Sequence, residues 1–158
     1  MKMKKMQTPF ALFVMILFLL TTDGCTKKES PKQSGAAQKI HWIHDLDSAL
    51  VLANQENKPL MIDFMAEWCP PCQKMEVTTF NQTEVIQKSA SFVPLRIDVD
   101  KQGEIANKYN CNASKYGGIG IPNILFMTHE EKRLKHVIGY QDPQTLLAVM
   151  DSVLTMTQ

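Results

Sequence analysis

No sign of charge dominates this 158-residue chain: seventeen Lys and Arg stand against sixteen Asp and Glu, a formal net charge of +1. A nucleic-acid binder needs a basic stripe to meet the phosphate backbone; there is none here, so no nucleic-acid partner is expected. No internal repeat is visible. No second cysteine pair accompanies Cys69 and Cys72, because Cys25 and Cys111 stand alone, and a zinc site built on paired cysteines therefore lacks half its ligands. His41 and His44 straddle Trp42 with no third ligand near them in sequence and read as surface residues. Met61, Met65, Met75, Met127 and Met150 lack the dense polar setting of a copper-carrying loop and read as core fillers, so no metal is expected.

Long apolar runs are also missing. The stretch over residues 10–20 is eleven residues long, well short of the roughly 20 that a membrane-spanning helix needs. Behind Lys2, Lys4 and Lys5 it suits the apolar core of a signal peptide, expected over residues 1–24. Gly24-Cys25 resembles a bacterial lipoprotein processing site, which makes Cys25 a candidate for lipidation. Such sites usually carry leucine three positions before the cysteine and a small residue two before, where this chain has Thr22 and Asp23. Cleavage near Gly24 without a lipid, or an uncleaved anchor, remain alternatives. Residues 25–39 are polar, with Lys27, Lys28, Glu29, Ser30 and Pro31, and cannot bury enough apolar surface to fold alone; they are expected to form a flexible tether. Residues 40–158 suffice for one domain with its own core.

Within that domain the pattern predicts a short strand over 40–43 and a helix over 45–57, with Asp45 as its cap and Leu46, Ala49, Leu50 and Ala53 at helical spacing. Residues 60–66 form a near-continuous apolar run, as in a strand covered on both faces. A helix is expected from Pro70, then another over 83–90, a strand over 92–99 and a helix over 101–109. After a Gly- and Asn-rich loop over 110–120 come two hairpin strands, 123–127 and 134–138, and a last helix opened by Asp142-Pro143. The order βαβαβαββα gives an α/β fold, a mixed sheet between helices with a parallel first half and an antiparallel closing hairpin.

The chemistry concentrates in Trp68-Cys69-Pro70-Pro71-Cys72, at a strand-to-helix junction. Two cysteines at this spacing can close a small reversible disulfide. A sulfur at a helix N-terminus meets unpaired N–H groups and the positive end of the helix dipole, which favour thiolate, the species that attacks disulfides. Cys69, at the cap, is expected to face solvent and attack; Cys72, one turn inside, to wait buried and resolve. A purely structural role gains little, since so short a loop removes little chain entropy. Cys111 reads as a redox sensor, a partner for an unlipidated Cys25, or simply a buried thiol.

Ile62-Asp63-Phe64-x-Ala66-Glu67-Trp68-Cys69-x-Pro71-Cys72-x-x-Met75 closely resembles the active-site strand and helix of the thioredoxin superfamily. Gly120-Ile121-Pro122 resembles the loop that carries that family's cis-proline, and Gly139 stands where a hairpin glycine is common. The likeness spans about residues 40–155. Val77 in place of a helix-kinking proline, with Glu76-x-x-Thr79-Phe80, resembles the C-terminal domain of the periplasmic thiol:disulfide interchange protein and exported thioredoxin-like lipoproteins. Met65 replaces a tryptophan usual in cytosolic members, and residues 112–116 look inserted.

The resemblance implies a thioredoxin-like fold and a redox disulfide needing no further cofactor. It also implies a buried acid at Asp63 to take the proton of Cys72. Pro122 is implied to be cis, presenting the backbone at Ile121 to an extended substrate. Trp68 reads as shielding the disulfide and contributing contact surface, or as simply packing in the core. Glu67 reads as a solvated charge. Pro70 and Pro71 each remove an N–H from the first helical turn, and neither is a histidine or a positive charge, so Cys69 is expected to be only moderately acidic and the pair reducing. The function expected is a monomeric, exported thiol:disulfide reductase, lipid-anchored on the periplasmic face of a bacterial membrane. It would carry electrons from a membrane-spanning thiol reductase to protein disulfides, apocytochrome c among them. A metal chaperone and a non-catalytic binding module are the alternatives.

Overall fold

The computed structural model describes residues 39–157. The expected signal peptide, the Cys25 lipidation site and the tether up to residue 38 lie outside them.

α1 (Leu46–Glu56) starts where the Asp45 carboxylate accepts from the Ser48 N–H at 2.8 Å and stops where Asn57 turns left-handed at φ 50°. Its buried Leu46, Ala49 and Ala53 face the sheet. β1 (Leu60–Met65) is the apolar run read from the sequence, and it lies in the interior of the sheet. It leads into α2 (Pro70–Thr78), which is followed by α3 (Thr83–Ser89) and β2 (Val93–Asp98). α4 (Gly103–Lys108) and a single 3-10 turn at Ser114–Tyr116 precede the hairpin of β3 (Asn123–Met127) and β4 (Arg133–Ile138). α5 (Pro143–Met156) closes the chain, its first N–H groups bonded to the Asp142 carboxylate.

The sheet order is β2-β1-β3-β4, with β1 and β2 parallel and the β1–β3 and β3–β4 pairs antiparallel. Alternation splits its side chains into two cores. Leu60, Ile62 and Phe64 meet α1 on one face; Met61, Ile124 and Phe126 meet Met75 of α2 and Leu146, Met150 and Val153 of α5 on the other. Helices thus cover both faces, the mixed sandwich that the element order implies.

One expected element shrinks. In place of a strand over 40–43 there is one parallel bridge, Ile43 to Leu95, with Ile43 N donating to Pro94 O and Arg96 N to Ile43 O. One step further back, that ladder needs a donor at residue 94. Proline has none, so the pairing ends at Ile43.

Candidate active site

β1 ends beneath the head of α2, and there the Cys69 and Cys72 sulfurs are bonded at 2.08 Å, with Cα atoms 5.2 Å apart. Cys69 is the cap of α2: its backbone is extended and its Sγ accepts from the Cys72 N–H at 3.3 Å. Pro70 and Pro71 occupy the first helical positions and offer no N–H, so Cys72 supplies the first donor that reaches the sulfur. Gln73 Nε2 donates to the Glu67 carbonyl at 2.6 Å and ties the helix back to the preceding turn.

Cys69 does not face solvent as the sequence led us to expect. It is 2% exposed and Cys72 6%. Both pack into the apolar cluster that includes Ala66, Tyr109 and Ala113, with Ile121 against it. A helix cap is exposed only where the adjoining loops leave it so, and here they do not.

Asp63 projects from β1 on the α2 face and is 2% exposed. Burial pushes its carboxyl up to about 6, with Arg96 opposing the shift and Glu76 reinforcing it. Arg96 stands opposite Asp63 in the β1–β2 register and donates to it from Nε at 2.9 Å and to Glu76 at 2.7 Å. Its guanidinium lies 4.2 Å from the Trp42 ring centroid. The sequence reading missed Arg96; the alternation Val93-x-Leu95-x-Ile97, read with a parallel register, would have placed it beside Asp63. A pocket of about 340 Å³ opens here, lined by Asp63, Cys72, Arg96, Met65, Glu76 and neighbours, so it reaches the second cysteine and not the first.

Trp68 is 44% exposed, and its indole N–H donates to Asp100 at 2.6 Å. The Ile121–Pro122 peptide is cis, Pro122 is buried and Ile121 half-buried. Asn123 holds this turn, donating to the carbonyls of Gly120 at 2.7 Å and Cys111 at 3.1 Å, while His136 donates to the Asn123 Oδ1 at 3.1 Å. Cys111 is fully buried, and burial pushes its thiol up to about 11. His41, His44 and Glu67 are exposed, Glu67 paired with Lys101; of the five methionines singled out, four are fully buried and Met65 is half-buried. Among the described residues no group of three or more His, Cys, Asp or Glu is placed to hold a metal, and no helix is long and apolar enough to cross a membrane.

A thioredoxin-like domain model matches residues 46–154, from α1 to the last turns of α5. The chain belongs to the thioredoxin-like family. It is 30% identical to a thioredoxin H-type of Brassica campestris over 67% of its own length and 77% of the relative's. It is 31% identical to the thiol:disulfide interchange protein DsbD of Klebsiella pneumoniae over 68% of its length, but spans only 17% of that longer protein. Among solved structures, the oxidised C-terminal domain of Neisseria meningitidis DsbD superposes with a TM-score of 0.55 at 26% identity, covering 70% of this chain and 97% of that one. A Thermus thermophilus thioredoxin gives a TM-score of 0.62 at 22% identity, over 76% and 91% of the two chains, a likeness of fold. With a disulfide at the head of α2, this member of the family is a thiol–disulfide oxidoreductase.

Proposed function

We propose that the chain is a reductase of protein disulfides outside the cytoplasm, with Cys69 as its nucleophile. The reduced enzyme attacks a substrate disulfide through the Cys69 thiolate, forming a Cys69–substrate bond and expelling one substrate thiolate. Cys72 then loses its proton to Asp63 and attacks the Cys69 sulfur. That step expels the second substrate thiolate and closes Cys69–Cys72, so two electrons pass to the substrate. The Ile121 backbone, presented by Pro122, pairs with the extended substrate segment, and Trp68 adds contact surface. The two sulfurs carry the electrons, and no diffusible cofactor takes part.

The single observation that carries this reading is the closed Cys69–Cys72 pair, with a buried Asp63, whose affinity for a proton is raised by that burial, on the pocket that reaches Cys72. Likeness to the DsbD C-terminal domain supports work with a membrane-spanning electron donor. The basic and apolar pattern of residues 1–24 supports export, Cys25 is the residue for a lipid anchor, and residues 25–39 serve as tether to a domain over 40–158. Apocytochrome c, whose cysteines must be reduced, is one fitting substrate. Cys72→Ala leaves the first step intact and blocks the second, so it is expected to accumulate mixed disulfides through Cys69 in cells. Mass spectrometry that finds no protein joined to Cys69 would sink the proposal.

A further inference from the structure

The segment between α4 and β3 is a built object. Asn112 is buried, its amide donating to the Asn107 side chain at 2.7 Å and its Oδ1 accepting from the Ala113 N–H at 2.8 Å. Gly118 N donates to Ala113 O, Gly120 N to Asn112 O, and Gly118 lies so close that a Cβ there would fall 2.2 Å from the Asn112 carbonyl oxygen. Glycine is the residue that fits. At its root, Ala113 is buried in the cluster that also holds Cys69 and Cys72. At its tip, the Tyr116 hydroxyl donates to one Asp100 oxygen while the Trp68 indole donates to the other. Lys115 places its ammonium 3.6 Å from the Trp68 ring centroid and 3.7 Å from Asp100. One carboxylate thus joins the segment to the residue immediately before the attacking sulfur, and that sulfur's residue is 2% exposed.

We propose that residues 112–120 are a gate over Cys69, latched by Asp100, that selects substrates by their size and freedom of movement. Latched, the site admits a disulfide in an extended or locally unfolded polypeptide, which can thread to the sulfur beside Ile121. A disulfide held rigidly in a folded domain is refused until the Tyr116–Asp100–Trp68 contact parts. The latch bond is exposed and made to a charged acceptor, so its loss shifts opening modestly, by a fold-change rather than all or nothing. The gate rests on the reading of Cys69 as the attacking sulfur, but it is a claim about access, and access is measurable without turnover.

The test reduces the full chain and reacts it with N-ethylmaleimide, or with the same maleimide fixed to the surface of a small, rigidly folded protein that has no free cysteine, locating the label at Cys69 by peptide mass. In the wild type the small reagent is expected to win by about tenfold or more. Tyr116→Phe and Asp100→Asn are each expected to shrink that ratio by about threefold or more, the effect of losing one such hydrogen bond. Equal wild-type rates, or ratios in the variants closer to wild type than that, overturn the gate. Tyr116→Phe removes one exposed hydroxyl and keeps the ring, so it decides the matter if Asp100→Asn fails to fold. If mixed disulfides never form through Cys69 while the ratios behave as expected, the reductase reading falls and the gate stands.

Discussion

Asp63 is the charged side chain that the fold buries deepest among the described residues, and its charge has only Arg96 as direct partner. Folding raises its pKa from 3.8 to about 6, chiefly through burial, so the folded chain holds this proton more tightly than the unfolded one. That contribution to stability is complete below the unfolded value of 3.8 and is lost as pH rises through about 6. Asp63→Asn, uncharged throughout, is expected to remove the dependence: between about pH 4 and pH 7.5 it gains about 2–3 kcal/mol relative to wild type. Urea unfolding of the oxidised protein at the two pH values reads this difference. Parallel behaviour of both proteins would show that Asp63 does not hold its proton in the fold. Comparing pH values within each variant cancels the constant cost of parting Arg96 from its carboxylate.

At the scale of elements, the sequence was most legible where one local rule decides. Asp45 and Asp142 cap their helices, residues 60–65 form an apolar strand inside the sheet, and Pro70 opens α2, all as the pattern implies. It was least legible where a contact distant in sequence decides. Pro94 limits its neighbour to a single bridge, Arg96 finds Asp63 only through parallel register, and Cys69 is covered by what packs around it. Two consequences follow for single elements. Pro71→His restores an N–H to the first turn of α2 and adds a cationic group beside Cys69, so the thiolate and hence the reduced state gain. The reduction potential is expected to rise by about 30 mV or more, measured against a glutathione or dithiothreitol couple; an unchanged value would separate the prolines from the redox poise. In the loop, Gly118→Ala must push the Asn112 carbonyl aside and is expected to cost about 1–3 kcal/mol. Gly103→Ala, at a helix start where a Cβ meets nothing within 4 Å, is expected to be neutral or to stabilise by up to about 1 kcal/mol. Thermal unfolding of the pair checks both, and equal midpoints would mean that the 112–120 segment is not packed as described.

Across the described residues, two apolar cores hold a four-stranded sheet whose interior strand β1 ends under the disulfide, so the packed sheet positions the chemistry, and the proposed gate at 112–120 concerns access to it. Family membership fixes the class of reaction, while its direction depends on the redox poise of the Cys69–Cys72 pair. The most direct test is therefore a redox titration of the full chain, following the Cys69–Cys72 bond by mass across a dithiothreitol and glutathione series. A single two-electron transition is expected nearer the roughly −270 mV of thioredoxin than the roughly −120 mV of the oxidant DsbA. A midpoint near the oxidant's value, or a pair that does not interconvert, would contradict the reductase account.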